Sequence, residues 1–305
     1  LNGSFVPEQE ARLSIYDSAL VMGDMAYEVT RTCGQRLFRL DEHLARLEHS
    51  LEALEIDAGL SRREWRQITE ETLARNLPSE AADVDWNVIH NVSRGPAGGF
   101  ARAFSPDQLR PTALVSCYPL TDKMAQLAPT YTDGVDLVVP RQQSIPASLM
   151  PTDVKTRSRL HYQLANLQAQ AMQAGAWAVL TDPDGYMTEG TSGNVFFARG
   201  EWLFTPSRRN VLPGVTRDWV LQICEREGID VEEVDWTPAE VTTCDEAMVC
   251  STSIGLIHAR SFQGRAVGMG QLGPLASRVR RAMFEEVGLD FAEQARTYAL
   301  RQRKS

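Results

Sequence analysis

Only three of the 31 basic residues in this 305-residue sequence are lysine, namely Lys123, Lys155 and Lys304; the rest are arginine. A guanidinium keeps its proton near neutral pH, whereas an amine can release one and can condense with a carbonyl to form a Schiff base. A lysine retained in such a chain is therefore a candidate for chemistry that arginine cannot perform. Lys304 lies in the basic tail RQRKS and Lys123 in a polar connecting stretch, which leaves Lys155, in Val154-Lys155-Thr156, as the residue of interest.

Other short segments could serve that amine. Glu189 sits in Met187-Thr188-Glu189-Gly190-Thr191-Ser192-Gly193-Asn194, a polar island before the apolar Val195-Phe196-Phe197. Its bland reading is a surface turn. Leu212-Pro213-Gly214-Val215-Thr216-Arg217 reads as a turn that opens a helix. Amides at such an end, with the helix dipole and the Thr216 hydroxyl, can hold a phosphate, although ordinary helix initiation explains them too. The small hydroxyls of Cys250-Ser251-Thr252-Ser253 follow an apolar stretch, where an anion site and a plain turn are equally good readings. Arg46, between Leu44 and Leu47, is by default a solvated cation. Each piece is weak alone. Together they supply an amine, an acid and an anion cradle, the parts that pyridoxal phosphate requires: its aldehyde takes a lysine, its ring nitrogen an acid, its phosphate amides and a cation.

Gly268-Met269-Gly270-Gln271-Leu272-Gly273 formally matches a dinucleotide fingerprint. That motif needs a strand before it and a βαβ unit after it, and too little chain remains, so it reads as a loop. A non-enzymatic nucleotide-binding protein is the alternative that this fragment leaves. No HExxH or CxxC pattern is present and no zinc spacing occurs among five cysteines and five histidines, so no metal site is expected.

Composition narrows the partners. With 43% hydrophobic and 23% charged residues the chain can build globular cores. Its net charge of −9, without a basic stripe, speaks against nucleic acid and anionic membranes as partners. No apolar run approaches the roughly 20 residues of a membrane span. Leu1–Arg12 lacks the pattern of a secretory signal and the odd cysteine count suits reduced thiols, so a cytoplasmic location is expected.

Strands and helices alternate along the chain. Leu44, Leu47, Leu51 and Leu54 share one face of a helix that should start at Asp41, as N-cap, and run to about Asp57. A second helix is expected near Ser61–Asn76, then strands Val84–Ser93 and Thr112–Tyr118. Periodicity lapses over 119–129, which reads as an interdomain linker between a small domain, 1–118, and a large domain, 130–305. The second half offers strand Val135–Val139, helix Ser158–Gln173 with Leu160, Leu164 and Leu167 on one face, and strands Ala176–Leu180, Asn194–Ala198 and Trp202–Thr205. Helix Val215–Glu227, strand Glu246–Ser251 and helix Leu275–Val287 follow. The fold class is α/β, or mixed α+β, in two domains.

The order and spacing of these pieces resemble the fold-type IV (class IV) pyridoxal-phosphate enzymes. That family contains branched-chain aminotransferases, D-amino-acid aminotransferases, (R)-selective amine transaminases and aminodeoxychorismate lyase. The resemblance runs from about Ile15 to Pro274. It is carried by Gly23-Asp24-Met25-Ala26-Tyr27-Glu28-Val29-Thr30-Arg31, His43-Leu44-Ala45-Arg46-Leu47, Val154-Lys155-Thr156, Thr188-Glu189-Gly190, the Leu212–Arg217 segment, and Gly268-x-Gly270-x-x-Gly273-Pro274.

The resemblance implies a branched-chain/D-amino-acid aminotransferase-like fold with pyridoxal 5′-phosphate at the domain interface, in a homodimer. Lys155 would form the Schiff base and shuttle the substrate proton, and Glu189 would pair with the ring nitrogen. Arg46, the amides of Val215 and Thr216, and Thr252 would hold the phosphate. The Ser253 amide would face the substrate carboxylate, with Tyr27 and Val29 in the pocket. The expected reaction moves an amino group between an amino acid, best guess branched-chain, and a 2-oxo acid, with 2-oxoglutarate as acceptor. D-amino-acid or (R)-amine transamination and the lyase reaction remain alternatives. Branched-chain enzymes carry an Arg where Asn91 falls here, and D-amino-acid enzymes an Arg and a His where Gly99 and Ala101 fall. Arg157, Arg159 and Arg102 stand as candidate replacement carboxylate ligands.

Overall fold

The computed structural model describes residues 1–105 and 108–303, so Lys304 lies outside the described residues. The chain divides into two compact units: Leu1–Leu120 with Val154–Arg159, and Thr121–Asp153 with Leu160–Ser305.

The first unit contains the short helix α1 (Ser18–Met22), strands β1 (Met25–Cys33) and β2 (Arg36–Leu37), helices α2 (Leu40–Ala53) and α3 (Arg62–Asn76), and strands β3 (Trp86–Ser93) and β4 (Thr112–Pro119). Its antiparallel sheet has the order β2-β1-β3-β4. Leu44, Leu47 and Leu51 of α2 and Trp65 of α3 pack with Ala26 and Val92 of the sheet. Side chains alternate across a pleated strand, so Ala26, Glu28 and Thr30 face the helices while Tyr27 and Val29 turn to the opposite face. Register places Asn91 beside Tyr27 and His90 beside Glu28.

Helix α2 starts one residue earlier than expected. Arg39, not Asp41, is its cap, in the left-handed conformation at φ 51°, and Asp41 and Glu42 occupy the first turn, where carboxylates suit the helix dipole. It ends at Ala53 instead of near Asp57, because Glu55 turns left-handed at φ 53° and the Ile56 amide bonds back to the Leu51 carbonyl. Helix α3 begins at the Ser61 cap, which forms a reciprocal capping box with Glu64.

The second unit contains α4 (Thr121–Asp133), β5 (Val135–Val138), α5 (Leu160–Met172), β6 (Trp177–Thr181), β7 (Met187–Gly190), β8 (Asn194–Arg199) and β9 (Trp202–Pro206). It continues through α6 (Val215–Glu227), β10 (Asp230–Val234), α7 (Pro238–Val241), β11 (Glu246–Ser251), β12 (Gly255–Phe262), β13 (Arg265–Ala266), α8 (Pro274–Val287) and α9 (Phe291–Gln302). The sheet runs β10-β9-β8-β11-β12-β5-β6-β7, with β13 beside β12. The expected mixed α/β class is the observed one.

One expectation needs correction here. Most of the stretch read as a linker, 119–129, is helical, since α4 starts at Thr121 and runs on past Pro129. Met124, Ala125 and Tyr131 are buried, α4 packs on α9, and Gln302 donates to Asp122, so a tertiary partner stabilises a segment whose own periodicity is poor. In α5 the three leucines share one face as expected, and it is the outward one: Leu160, Leu164 and Leu167 are 71%, 41% and 58% exposed. Ala165 and Ala169 meet the core with Ala176, Ala178 and Leu180, because small side chains let a helix lie close against a sheet.

All five cysteines are free, and burial pushes the Cys33, Cys117, Cys224, Cys244 and Cys250 thiols up to between about 11 and about 12. Among the described residues no helix is long and apolar enough to cross a membrane, and no group of His, Cys, Asp or Glu could hold a metal ion.

His90 lies on the helix-covered face, fully buried. The Thr69 hydroxyl donates to the Trp65 carbonyl (2.6 Å), so Nε2 of His90 must donate to Thr69 Oγ1 (2.7 Å), leaving Nδ1 bare and without a partner. Burial lowers its pKa from 6.5 to about 4, against a weaker opposing pull from Glu28. The unfolded chain thus takes up a proton that the folded one refuses. Stability should be unaffected by this group above 6.5, fall by about 1.4 kcal/mol per unit as pH drops toward 4, and then level off. Urea unfolding at pH 7, 6 and 5 should show that slope in the wild type and a shallower one in His90→Gln.

Candidate active site

The segment Val154–Arg159 belongs to the first unit although the residues on both sides of it belong to the second. It is fastened to β1 as a short antiparallel strand. The Tyr27 amide donates to the Lys155 carbonyl (3.0 Å), the Arg157 amide to the Met25 carbonyl (2.8 Å), and Ala26 bridges Thr156. Side chains add to this: Thr156 Oγ1 donates to the Met25 carbonyl, Ser158 Oγ to the Gly23 carbonyl, and Ser50 Oγ accepts from the Lys155 amide. Residues opposite one another across antiparallel strands share a face. Lys155 and Arg157 therefore join Tyr27 on the face that α2 and α3 leave uncovered.

The contacts follow that register. Lys155 Nζ lies 4.7 Å from the Tyr27 ring centre and the Arg157 guanidinium 3.8 Å, while Arg159 donates to the Tyr27 hydroxyl (2.8 Å). Arg157 Nε donates to Asn91 Oδ1 (2.9 Å). Burial alone would raise the Tyr27 phenol, but Lys155, Arg159 and Arg157 override it and lower it. Val29, two residues along β1, lies on the same face, half-buried.

Arg46 is held on the other face. Its Nε and Nη2 donate to the two oxygens of Glu28 (2.8 and 2.7 Å), and His43 Nδ1 lies 3.1 Å from Oε1 of the same carboxylate. Glu28 is wholly buried; burial would raise it, yet Arg46, with His43, holds it well below the usual carboxylate range. The arginine expected at the phosphate is thus oriented by an acid that sequence reasoning did not single out.

In the second unit Glu189 is buried in β7, not exposed on a turn. Three donors fix its carboxylate: the Tyr162 hydroxyl to Oε1 (2.6 Å), and Asn194 Nδ2 and the Leu212 amide to Oε2 (both 3.1 Å). Asn194 also donates to the Leu212 carbonyl (3.0 Å), which ties the start of β8 to the turn ahead of α6. A Cβ on Gly214 would sit 2.0 Å from Asn194 Oδ1, so that turn requires glycine for close approach.

The N-terminus of α6 brings Val215 and Thr216 to the same place. No side chain caps it. Helix α8 is likewise introduced by glycine and proline, but there the buried Glu246 accepts from the Leu275 and Ala276 amides (both 2.9 Å). One helix end has its anion supplied by the fold; the other is open to an external one. Thr252 and Ser253 form the turn between β11 and β12, and a Cβ on Gly193, just before Asn194, would meet the Cys250 carbonyl at 2.4 Å. The second unit therefore gathers Glu189, Val215, Thr216 and the Thr252–Ser253 turn around Asn194. A fixed carboxylate, an uncapped 13-residue helix and adjacent hydroxyls suit a group that carries both a basic ring nitrogen and a phosphate.

Of the remaining candidates, Arg102 is exposed, and Gly99 lies with Ala101 in a short 3-10 helix, Gly98–Ala103. Gly268–Gly273 is a loop, as expected. Tyr162, Asn194 and Glu28 are the site residues that sequence reasoning missed.

Residues 25–262 match the family model for amino-transferase class IV. The putative branched-chain-amino-acid aminotransferase of Methanocaldococcus jannaschii is 28% identical, covering 92% of this chain and 93% of its own length. The D-alanine aminotransferase of Bacillus licheniformis is 29% identical, covering 97% and 98%. Among solved structures, the T.th. branched-chain amino acid aminotransferase with pyridoxamine 5′-phosphate superposes with a TM-score of 0.80 at 27% identity, over 94% of this chain and 92% of that one.

Removing Glu28 should expose how much the first unit relies on it. Glu28→Ala leaves the Arg46 charge, only 9% exposed, without its counter-ion, and should lower unfolding stability by about 3–5 kcal/mol. Chemical denaturation measures it, and a loss under about 1 kcal/mol would show that Arg46 does not depend on this acid.

Proposed function

The chain belongs to the class IV aminotransferase family, and from that premise we propose that it transfers an amino group between an amino acid and a 2-oxo acid, using pyridoxal 5′-phosphate carried by Lys155. The observation that carries this reading is the pairing that holds the Lys155 amine beside Tyr27 on the open face of the first sheet. Bound there, the cofactor supplies an electron sink for the bond broken at the substrate α-carbon.

Each residue has a task that its surroundings suit. Lys155 Nζ would carry the cofactor, and its amine would hold and move the proton at the substrate α-carbon. Glu189 would pair with the ring nitrogen and favour its protonated form, while Tyr162 and Asn194 keep the carboxylate from turning away. The Val215 and Thr216 amides and the Thr252 hydroxyl would hold the phosphate, with Arg46 as the cation that the family resemblance assigns to it. The Ser253 amide meets the substrate, and Tyr27 and Val29 line its pocket.

We take a branched-chain amino acid as the donor and 2-oxoglutarate as the acceptor. The likeness to D-alanine aminotransferase favours a D-amino acid as the second reading. The working form is a homodimer. Leu160, Leu164, Leu167 and Met172 on α5, and Leu20, Val21 and Met22 on α1, form exposed apolar stripes of the kind that a subunit contact covers. A cytoplasmic setting fits the five unbridged cysteines.

Lys155→Ala should abolish the visible absorption of the bound cofactor and the transamination of every donor, with far-ultraviolet circular dichroism unchanged. Borohydride reduction of the wild type followed by peptide mapping should place the label on Lys155; a label on Lys123 overturns the reading. Light scattering should find two chains per particle, and Leu164→Glu with Leu167→Glu should shift that toward one.

A further inference from the structure

The open face of the first sheet carries more positive charge than a Schiff-base lysine requires. Lys155, Arg157 and Arg159 all lie against the Tyr27 ring. Elsewhere on this face the neutral Asn91 stands beside Tyr27 in the register, and Tyr118 of β4 is the other phenol whose charge Arg157 feels. Arg157 is half-buried, and burial, with repulsion from Arg159, lowers its pKa. Among the described residues no carboxylate pairs with it. Contrast Arg46 in the same unit, which has both oxygens of Glu28. A desolvated cation without a counter-ion costs stability, and folds retain such groups where a ligand brings the missing charge.

The way Arg157 is held indicates what it receives. Asn91 takes the Nε hydrogen and the Tyr27 ring supports the guanidinium plane. The two terminal nitrogens remain, in the fork that matches a carboxylate with two parallel hydrogen bonds. Both neighbours restrain the fork before any ligand arrives, so little ordering entropy is left to oppose binding. Of the three arginines that could replace the missing carboxylate ligands, Arg102 is exposed and Arg159 is bonded to the Tyr27 hydroxyl.

We propose that Arg157 binds the carboxylate of the amino-acid and 2-oxo-acid substrates, with Asn91 as its positioning residue, so that this enzyme selects carboxylate-bearing substrates over simple amines. The inference rests on the reading of Lys155 as the cofactor-bearing residue. An amino acid whose α-carbon lies within reach of the Lys155 amine would present its carboxylate to a cation held against the same ring.

Calorimetric titration of the holoenzyme with 4-methylvalerate, an unreactive carboxylate, tests this directly. Affinity should fall about 10- to 100-fold in Arg157→Gln, and less in Asn91→Ala. In the half-reaction, KM for leucine and glutamate should rise by a similar factor in Arg157→Gln, while turnover of 1-phenylethylamine stays as slow as, or becomes faster than, in the wild type. Arg157→Lys should recover part of the loss, which a merely structural role would not show. The visible absorption of the bound cofactor must persist in these variants, certifying both fold and cofactor. Unchanged carboxylate affinity with that absorption intact overturns this proposal and leaves the Lys155 reading standing. A loss confined to pyridoxal-phosphate affinity also overturns it, since Arg157 would then be serving the phosphate. A wild-type protein that never acquires the absorption overturns both.

Discussion

A six-residue segment, Val154–Arg159, leaves one compact unit, pairs with the first three residues of β1 in the other, and returns. That backbone pairing determines which way the Lys155 and Arg157 side chains point. Antiparallel register places Lys155 opposite Tyr27 and Arg157 opposite Met25, so both cations emerge on the side of the sheet that carries no helices. A slip of one residue would turn Thr156 outward and bury the amine against α2. The Ser50, Thr156 and Ser158 hydroxyls, all tied to backbone groups of this pairing, guard against that slip. Short hydroxyl side chains serve here because each bridges main chain to main chain without filling space on the reactive face.

The second unit treats two similar helix starts differently. Two helices there open after glycine, and both present amides at their first turn. At α8 the buried Glu246 already satisfies them, and a Cβ on Gly273 would collide with that carboxylate. At α6 the buried Glu189, bonded to the Leu212 amide in the turn ahead of the helix, is held by Tyr162 and Asn194 as well, and Asp218 in the first turn pairs with Arg208 and Arg217. Asn194 is decisive because it is neutral. It donates both to Glu189 and to the turn, fixing the acid and the helix end relative to each other without placing a charge at the amides.

How much of this was legible in the sequence depended on whether the signal was local. Helix α6 and strand β11 were read to their ends, because Pro213-Gly214 and Gly228 punctuate the one and an apolar run fills the other. Lys155 stood out through rarity, and Glu189 through its place in an otherwise plain polar run. Strand β7 was missed since Met187-Thr188-Glu189-Gly190 has neither alternation nor β-branched bulk, and only its neighbours bury it. Strand β1 escaped for the opposite reason, since Glu28, Thr30 and Arg31 look solvent-facing until Arg46, His43 and Asp85 are brought to them. Helix α4 was taken for a linker because its burial depends on α9, far away in sequence. Pairings over long sequence separations leave no periodic trace, and the Asn91–Arg157 bond, which spans 66 residues, is of that kind.

The scarcity of lysine acquires a chemical sense when the neighbours of Lys155 are considered. Were Lys155 to carry a reactive aldehyde as proposed, a second free amine within reach would compete for the same carbonyl. Positive charge is nonetheless needed nearby for acidic partners. Guanidinium groups resolve the conflict: they stay protonated and are not nucleophilic at working pH, yet they offer more hydrogen-bond donors than an ammonium. Arg46, Arg157 and Arg159 are therefore what a lysine-centred site should have as its supporting cations, and the Tyr27 ring can stack against a planar guanidinium as it could not against a tetrahedral ammonium. The same logic separates their roles. Arg46 has a buried carboxylate to satisfy it and is locked by the fold, whereas Arg157 has only a neutral amide and a ring, and so keeps its charge available.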